Sequence, residues 1–128
     1  MTSAYKPEGY PSASPYLIVS DAGATLAFLK TTFAGEILCN ITDESGRSRH
    51  AEVRIEDSVI MLADSAPDWP ALPSHVHIYV KDVDATYANA LAAGAIKVQE
   101  PVKKDDPDKR GGVKDPGGTT WWIATHMK

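Results

Sequence analysis

The sequence predicts an α+β fold in which two βαβββ modules form an incomplete barrel, with their helices on the outer face. A chain of 128 residues suits a single domain. Segments that begin at Ser14 and at His75 repeat one another 61 positions apart. Each copy contains a short apolar run, an aspartate, a stretch with helical spacing and then a glycine, which indicates a duplicated strand–helix unit.

Each copy opens with a strand and a helix. "PYLIV" and "HVHIYV" are short, rich in branched and aromatic residues, and bounded by turn formers, as strands are. Asp21 and Asp82 are suitable N-caps, because a carboxylate accepts from the N–H groups of a first helical turn. Gly35 and Gly94 lie where a left-handed C-cap is needed. Apolar residues at helical spacing follow each aspartate: Ala22, Leu26, Leu29 and Phe33 in the first copy, and Val83, Tyr87, Ala90 and Leu91 in the second.

Three further strands are predicted after each helix. They are "EILCNIT", "RHAEVRIED" and "SVIMLADS" in the first copy, and "IKVQEPV", "GGVKDP" and "TTWWIATHM" in the second. Asp57–Ser58 and Pro116–Gly118 are turn signals before the last strand of each copy. The modules span about residues 14–66 and 74–127, follow an irregular leader of residues 1–13, and are joined by a proline-rich linker of residues 63–74. One face of each sheet must be covered by its helix, which leaves the other face open to a ligand.

Composition excludes several classes of partner. The net charge of −4, with scattered basic residues, gives no footprint for nucleic acid or for an anionic membrane surface. No run approaches the roughly eighteen apolar residues of a membrane span, and the N-terminus lacks the apolar core of a signal peptide. The single Cys39 excludes an internal disulfide and a cysteine-rich zinc site. One unpaired thiol favours a reducing cytoplasm.

Strand alternation assigns side chains to the two faces of each sheet. Leu17, Val19, Ala51, Val53, Ile55, Val76, Ile78 and Val80 form the aliphatic sets and are expected under the helices. The open faces would then carry Tyr16, His50, Glu52, Arg54, His75, His77 and Tyr79, with Met61 and Trp122 in equivalent positions of the last strands. A solvated sheet face shows the same alternation without a function, and this reading stays open for His50, Glu52 and Arg54. For His75 and Tyr79 we expect a cavity, because the opposing strands offer large apolar groups.

Several motifs resemble a known superfamily. "HAEVRIEDSVIMLAD", "HIYVKDVDATYANALAAGA", "GGVKDPGG" and "WWIATH" are similar to the glyoxalase/bleomycin-resistance/extradiol-dioxygenase group, the vicinal oxygen chelate superfamily. Within it they resemble the branch labelled demethylubiquinone-methyltransferase-like. The resemblance covers residues 14–127 in both modules and implies the paired βαβββ fold. That fold serves isomerases, dioxygenases, thiol transferases and drug-sequestering binders, so it leaves the activity open.

The resemblance also implies where a metal ion would be bound. Metal-dependent members take one ligand from the first and one from the last strand of each module, which here are Ser14, Met61, His75 and Trp122. Only His75 is a competent ligand for a divalent ion, so we predict no metal and no cofactor. A different site would need His75 and His77, whose Cα atoms lie about 6.5 to 7 Å apart on one strand face, together with Glu52 or His50.

Residues 102–118 form a polar stretch that we interpret as a flexible loop. It is either a solvated charged loop or a lid in which Arg110 or Lys109 meets an anionic group of a ligand. The branch usually carries an aromatic residue where Gly117 stands in this chain.

Three hypotheses for function follow. We favour a metal-free binding protein for an aromatic or amphipathic small molecule, with the ligand-binding residues Tyr16, His50, Glu52, Met61, His75, His77, Tyr79, Arg110 and Trp122. The alternatives are a lyase, isomerase or transferase with His75 or Glu52 as general base, and a partner-binding domain without a small ligand. A homodimer is expected, since the resemblance implies that modules of one or two chains combine to close each cavity.

Overall fold

The computed structural model describes residues 5–127 and contains two βαβββ modules, as predicted. The first comprises β1 (Tyr16–Val19), α1 (Ala22–Phe33), β2 (Glu36–Thr42), β3 (Ser48–Ile55) and β4 (Ser58–Asp64). The second comprises β5 (Ser74–Tyr79), α2 (Val83–Ala92), β6 (Ile96–Lys103), β7 (Asp108–Lys114) and β8 (Thr119–His126). Between residues 5 and 127, neither helix combines the length and the apolarity that crossing a bilayer requires.

Each module folds into an open four-stranded mixed sheet. The strand order is β1-β4-β3-β2 in sheet one and β5-β8-β7-β6 in sheet two. The first strand of each sheet runs parallel to the last, and the other neighbours are antiparallel. Tyr16 lies opposite Met61 in sheet one, and His77 lies opposite Trp122 in sheet two. The two pairs are 61 positions apart, so the sheets preserve the register of the sequence repeat.

Both predicted N-caps are confirmed. The Asp21 carboxylate accepts from the Ala24 N–H at 3.0 Å, and that of Asp82 accepts from Ala85 at 3.1 Å. The predicted left-handed glycine is found at Gly94 (φ 103°) but not at Gly35, because Ala34 takes that conformation at the end of α1. Gly35 is instead required by packing, since a Cβ there would lie 2.7 Å from Cγ1 of Val53.

One hydrophobic core joins the helix-facing sides of both sheets. It includes Leu17, Val19, Leu26, Phe28, Leu29, Val53, Leu62, Val83, Val113, Trp121 and Ile123. The rings of Phe33 and Trp121, one from each module, lie 5.1 Å apart, and the Ser20 N–H donates to the Gly117 carbonyl at 3.3 Å. Of the apolar residues at helical spacing in α2, Val83, Tyr87 and Ala90 are buried, whereas Leu91 is 37% exposed.

The predicted alternation of strand side chains is confirmed. Ala51, Val53 and Ile55 are buried under α1, whereas His50, Glu52 and Arg54 lie on the opposite face of β3. Val76, Ile78 and Val80 pack against the core, and His75, His77 and Tyr79 are exposed. We call the helix-free side of each sheet its open face.

The interpretation of residues 102–118 as a flexible loop is wrong. β6 extends to Lys103 and β7 begins at Asp108, so only residues 104–107 connect the two strands. Polar residues of β7 have fixed partners: Asp108 is buried, and Lys109 pairs with Asp84 at 2.8 Å. This stretch is therefore a β-hairpin in which Asp108, Lys109 and Arg110 have fixed side-chain partners.

Candidate functional site

A hydrogen-bonded chain of four side chains crosses the open face of sheet one. The Tyr16 hydroxyl lies 3.0 Å from Nδ1 of His50, and Nε2 of His50 lies 2.7 Å from Oε2 of Glu52. The second oxygen of Glu52, Oε1, accepts from the Tyr10 hydroxyl. Because β1 and β3 are not neighbours, this chain passes over β4, where Met61 lies between Tyr16 and Glu52 in register.

The leader is part of this site, which the sequence did not indicate. The carbonyl of Gly9 accepts from Nη1 of Arg54 at 2.6 Å, and the Arg54 guanidinium lies 5.8 Å from the centre of the Tyr10 ring. Tyr10 and Gly9 thus bind residues of β3 that are more than forty positions away. No periodic pattern encodes such contacts, and the only available signal was the presence of an aromatic residue in a polar leader.

Hydrogen bonding keeps the Glu52 carboxylate ionised. The hydrogen bond from Tyr10, and then that from His50, lower the pKa of Glu52. The bond between Tyr10 and Glu52 also raises the pKa of Tyr10. A general base needs a pKa near the working pH, so these contacts make Glu52 a poor base. They disfavour the role of catalytic base that the sequence offered for this residue.

The open face of sheet two is organised around Asp108. Its side chain is 7% exposed and accepts from the Tyr79 hydroxyl at 2.7 Å and from Nη2 of Arg110 at 3.0 Å. Its other oxygen lies 2.8 Å from Nδ1 of His126. The hydrogen bonds from Tyr79 and then from His126 lower the pKa of Asp108, so three neighbours hold a buried carboxylate in its charged form.

Arg110 links this carboxylate to His77. Nε of Arg110 donates to Nε2 of His77 at 3.0 Å, so that nitrogen is an acceptor. Burial, and then the Arg110 charge, lower the pKa of His77. Of the two cationic residues proposed for ligand contact, Arg110 lies on the open face, whereas Lys109 pairs with Asp84 at the start of α2.

His75 and Trp122 form a second contact on the same face. The indole N–H of Trp122 donates to Nδ1 of His75 at 3.0 Å. The indole also lies against Gly112, where an added Cβ would be 2.6 Å from Cζ3 of the ring. Gly112 therefore allows Trp122 to lie flat along β7, which could not be foreseen from the glycine alone.

The four metal positions implied by the superfamily resemblance do not fit a divalent ion. Ser14 precedes β1, and Met61 has Tyr16 as its register partner. His75 is the one competent metal ligand among the four, and its Nδ1 already accepts a hydrogen bond from the Trp122 indole. A thioether, a hydroxyl, an indole and one imidazole provide too few ligands for a catalytic ion.

The alternative metal set is not brought together either. His75 and His77 lie on sheet two, whereas His50 and Glu52 lie on sheet one. Nε2 of His77 accepts from Arg110, so it already has a partner. A different group does converge, because ligand atoms of Cys39, His50 and Glu52 all lie within 4.8 Å of one another.

A large cavity lies against sheet one. It has a volume of about 850 Å³, and its wall includes Tyr16, Ile18 and Trp69, with Arg47 and Arg49 beside them. The Trp69 side chain is 66% exposed and comes from the linker between the modules. Sequence reasoning missed Trp69. The available signal was a tryptophan in a proline-rich linker, since tryptophan is enriched at binding hot spots.

A smaller cavity lies against sheet two. It has a volume of about 350 Å³ and is lined by Trp122, Arg110, Gln99 and Val102 together with the acidic residues of the β6–β7 turn. Of the predicted ligand-binding residues, Tyr16 lines the larger cavity, and Arg110 and Trp122 line the smaller one. The whole set divides between the two sheets. Tyr16, His50, Glu52 and Met61 belong to sheet one, and His75, His77, Tyr79, Arg110 and Trp122 belong to sheet two. Among residues 5–127, no side-chain hydrogen bond joins one group to the other.

Comparison with known proteins identifies relatives along most of the chain. The family model for the Glyoxalase/Bleomycin resistance protein/Dioxygenase superfamily matches residues 12–123. Uncharacterized protein Mb0911c of Mycobacterium bovis is 32% identical over 92% of this chain and 85% of its own length. Uncharacterized protein Rv0887c of Mycobacterium tuberculosis is also 32% identical, over 92% of this chain and 76% of its own length.

Solved structures with the same fold include proteins of several kinds. TioX from Micromonospora sp. ML1 has a TM-score of 0.75 and 22% identity, covering 91% of this chain and 100% of its own. A glyoxalase-related enzyme from Fulvimarina pelagi has a TM-score of 0.72 and 17% identity, covering 90% and 87%. TnmS3, an antibiotic binding protein from Streptomyces sp. CB03234, has a TM-score of 0.70 and 20% identity, covering 91% and 97%. At these identities the likeness shows the fold alone.

Proposed function

The chain belongs to the Glyoxalase/Bleomycin resistance protein/Dioxygenase superfamily, and from this membership we propose that it is a small-molecule binding protein. Its ligand is an aromatic or amphipathic molecule held by aromatic contact and hydrogen bonds. No metal ion is needed at the strand positions that metal-dependent relatives use. The narrower resemblance to the demethylubiquinone-methyltransferase-like branch, and a cytoplasmic location, stay predictions.

The observation that carries this proposal is the 850 Å³ cavity against sheet one. Pockets for drug-sized ligands have volumes of roughly 300 to 1,000 Å³ and mostly apolar walls with a few polar groups. Tyr16, Ile18 and Trp69 supply two rings and an aliphatic surface, while Arg47 and Arg49 share the wall with Asp43 and Asp64, and Arg47 pairs with Asp64 at 3.5 Å. This combination of rings and polar groups favours a planar amphipathic ligand.

The polar chain Tyr16–His50–Glu52 borders this cavity through Tyr16 and would orient the ligand. The smaller cavity offers the ring of Trp122, and the Arg110 beside it is paired with Asp106 and Asp108. Another protein of the same fold, TnmS3, is an antibiotic binding protein, so the fold is compatible with antibiotic binding.

Intrinsic fluorescence tests the proposal, because the three tryptophans have different environments. Trp121 is fully buried, Trp69 lines the larger cavity and Trp122 lines the smaller one. We expect the planar anionic dye anilinonaphthalene sulfonate, and planar aromatic antibiotics, to quench the protein's emission in a saturable way. Trp69→Phe should remove most of the quenching, and Trp122→Phe should preserve it.

Two results would overturn this assignment. Equal quenching in Trp69→Phe and in the unsubstituted chain would show that the ligand does not bind in the sheet-one cavity. No saturable quenching by the dye or by any aromatic antibiotic would favour the alternative of a partner-binding domain.

We also propose that the protein is a homodimer. β2 and β6 are edge strands, and edge strands of monomers usually avoid exposed apolar residues. Here β2 exposes Ile37 and Ile41, and β6 exposes Ile96 and Val98. A second chain would cover these edges and help to close cavities that each sheet lines by itself. Light scattering should give twice the 13.8 kDa of one chain, and the single-chain mass at micromolar concentration would contradict this proposal.

A further inference from the structure

Three different metal-ligating groups converge on the open face of sheet one. Sγ of Cys39, a ring nitrogen of His50 and a carboxylate oxygen of Glu52 lie within 4.8 Å of one another. Cys39 on β2 is the register partner of Glu52 on β3, and His50 is two residues further along β3. We propose that Cys39, His50 and Glu52 form a zinc-binding site with one coordination position left open.

The chemistry of this set selects the ion. Thiolate, imidazole and carboxylate are all common zinc ligands, whereas magnesium and calcium prefer oxygen alone. Zinc bonds of about 2.0 to 2.3 Å place tetrahedral ligand atoms about 3.3 to 3.7 Å apart. Nε2 of His50 and Oε2 of Glu52 are already 2.7 Å apart, so an ion needs only rotamer adjustments of about 1 Å.

Two hydroxyl groups support the ligands from outside. The Tyr16 hydroxyl lies 3.0 Å from Nδ1 of His50, and Tyr10 donates to the oxygen of Glu52 that does not face His50. Outer contacts of this kind orient metal ligands and tune their affinity. The ligands His50 and Glu52 and their supporting tyrosines are therefore already in place before any ion binds.

Zinc binding releases a proton from this site. A cysteine is in its S–H form at neutral pH, whereas zinc binds the thiolate. Zinc binding breaks this S–H bond, forms a Zn–S bond and sends the proton to solvent. If Nε2 of His50 carries the ring proton, that proton moves to Nδ1, and the Tyr16 hydroxyl changes from donor to acceptor. The net release is about one proton per ion.

Sheet two provides an internal contrast. Gln99 and Gly112 pair across β6 and β7 as Cys39 and Glu52 pair across β2 and β3, and Arg110 occupies the place of His50. None of these three residues is a zinc ligand. The proposed site is thus a property of the first module and not of the repeated fold.

Titration calorimetry of the full-length chain with zinc is the direct test. We expect one ion per chain and about one proton released, measured in buffers of different ionisation enthalpy. Cobalt in place of zinc should give a thiolate-to-metal charge-transfer band. Cys39→Ser and His50→Gln should each lower the affinity at least about 100-fold, since even outer-contact losses reach that size. His126→Gln, an exposed histidine on sheet two, should leave the affinity unchanged.

A second measurement needs no variant. Cys39 is the only cysteine in the sequence, so its reaction with a chromogenic disulfide reports this site alone. Zinc should lower the rate of this thiol reaction in proportion to the fraction of sites that it occupies. Unchanged thiol reactivity at saturating zinc, or unchanged zinc affinity in Cys39→Ser, would overturn the site. Neither result would affect ligand quenching through Trp69, so the two proposals fail separately.

Discussion

The indole N–H of Trp122 donates to Nδ1 of His75 at 3.0 Å, and the two rings lie within 7° of parallel. Trp122 is in β8 and His75 is in the neighbouring parallel strand β5. The contact fixes the rotamer of Trp122 on the wall of the smaller cavity and leaves Nε2 as the outward nitrogen of His75. A ring and an N–H donor are thereby presented together on the open face of sheet two.

Replacing Trp122 by phenylalanine should weaken the protein modestly. Trp122→Phe keeps an aromatic ring but removes the N–H that His75 accepts, and a hydrogen bond of this kind contributes about 0.5 to 1.5 kcal/mol. We expect the free energy of unfolding, measured in urea, to decrease by an amount within that range. Trp69→Phe is the matched control, because Trp69 is exposed, and its change should stay within about 0.5 kcal/mol. Equal losses in the two variants would refute the role of the His75 contact.

An alanine at position 112 should displace the Trp122 ring. The added Cβ would lie 2.6 Å from Cζ3, and such crowding costs about 1 to 3 kcal/mol. Gly112→Ala should therefore lower stability and shift the emission of Trp122. Gly23→Ala, inside α1, has only an ordinary contact at 3.5 Å and should be neutral or stabilising by up to about 1 kcal/mol. Unchanged emission in Gly112→Ala would show that the ring lies elsewhere.

Gly117 of the second module packs directly against Val19 and Thr25 of the first, so this position should tolerate no side chain. A Cβ at this position would overlap Oγ1 of Thr25 and lie 3.3 Å from Cβ of Val19. We expect Gly117→Ala to lower the free energy of unfolding by about 3 kcal/mol, at the upper end for overpacking. Thr25→Ala in the same chain should recover part of that loss, because it removes the clashing hydroxyl. No recovery in the double variant would contradict this explanation, which also accounts for the missing aromatic residue at this turn.

The neutral state of His77 predicts a pH dependence of stability. Burial and Arg110 hold the pKa of His77 below its ordinary value of 6.5, so the unfolded chain takes up a proton first as the pH falls. Stability from this residue is therefore complete above pH 6.5 and is lost as the pH falls through the folded pKa. Urea midpoints at several pH values should decline less steeply in His77→Gln. Identical slopes in both proteins would exclude His77 as a source of the effect.

The features that sequence reasoning recovered are those with a local or periodic cause. Asp21 and Asp82 could be identified as N-caps because the capping bond spans three residues. The alternation in β3 and β5 placed His50 and His77 on open faces, since a buried strand face must be apolar. The repeat gave the order of elements in both modules.

The features that it missed depend on distant contacts. Tyr10 reaches Glu52 across 42 positions, and nothing in the local sequence of the leader selects that partner. Leu91 shares the helical spacing of α2 with Val83, Tyr87 and Ala90, but it lies at the margin of the buried stripe and is 37% exposed. The grouping of the site residues into two separate sets follows from the packing of the modules, and strand periodicity carries no information about it.

The hydrophobic core lies on the helix side of both sheets, so the outward residues of the strands are not part of it. Equivalent outward positions of the two modules carry different chemistry: Cys39, His50 and Glu52 in sheet one correspond to Gln99, Arg110 and Gly112 in sheet two. A library that randomises only the outward residues of one half should accordingly yield mostly folded proteins with altered ligand preferences.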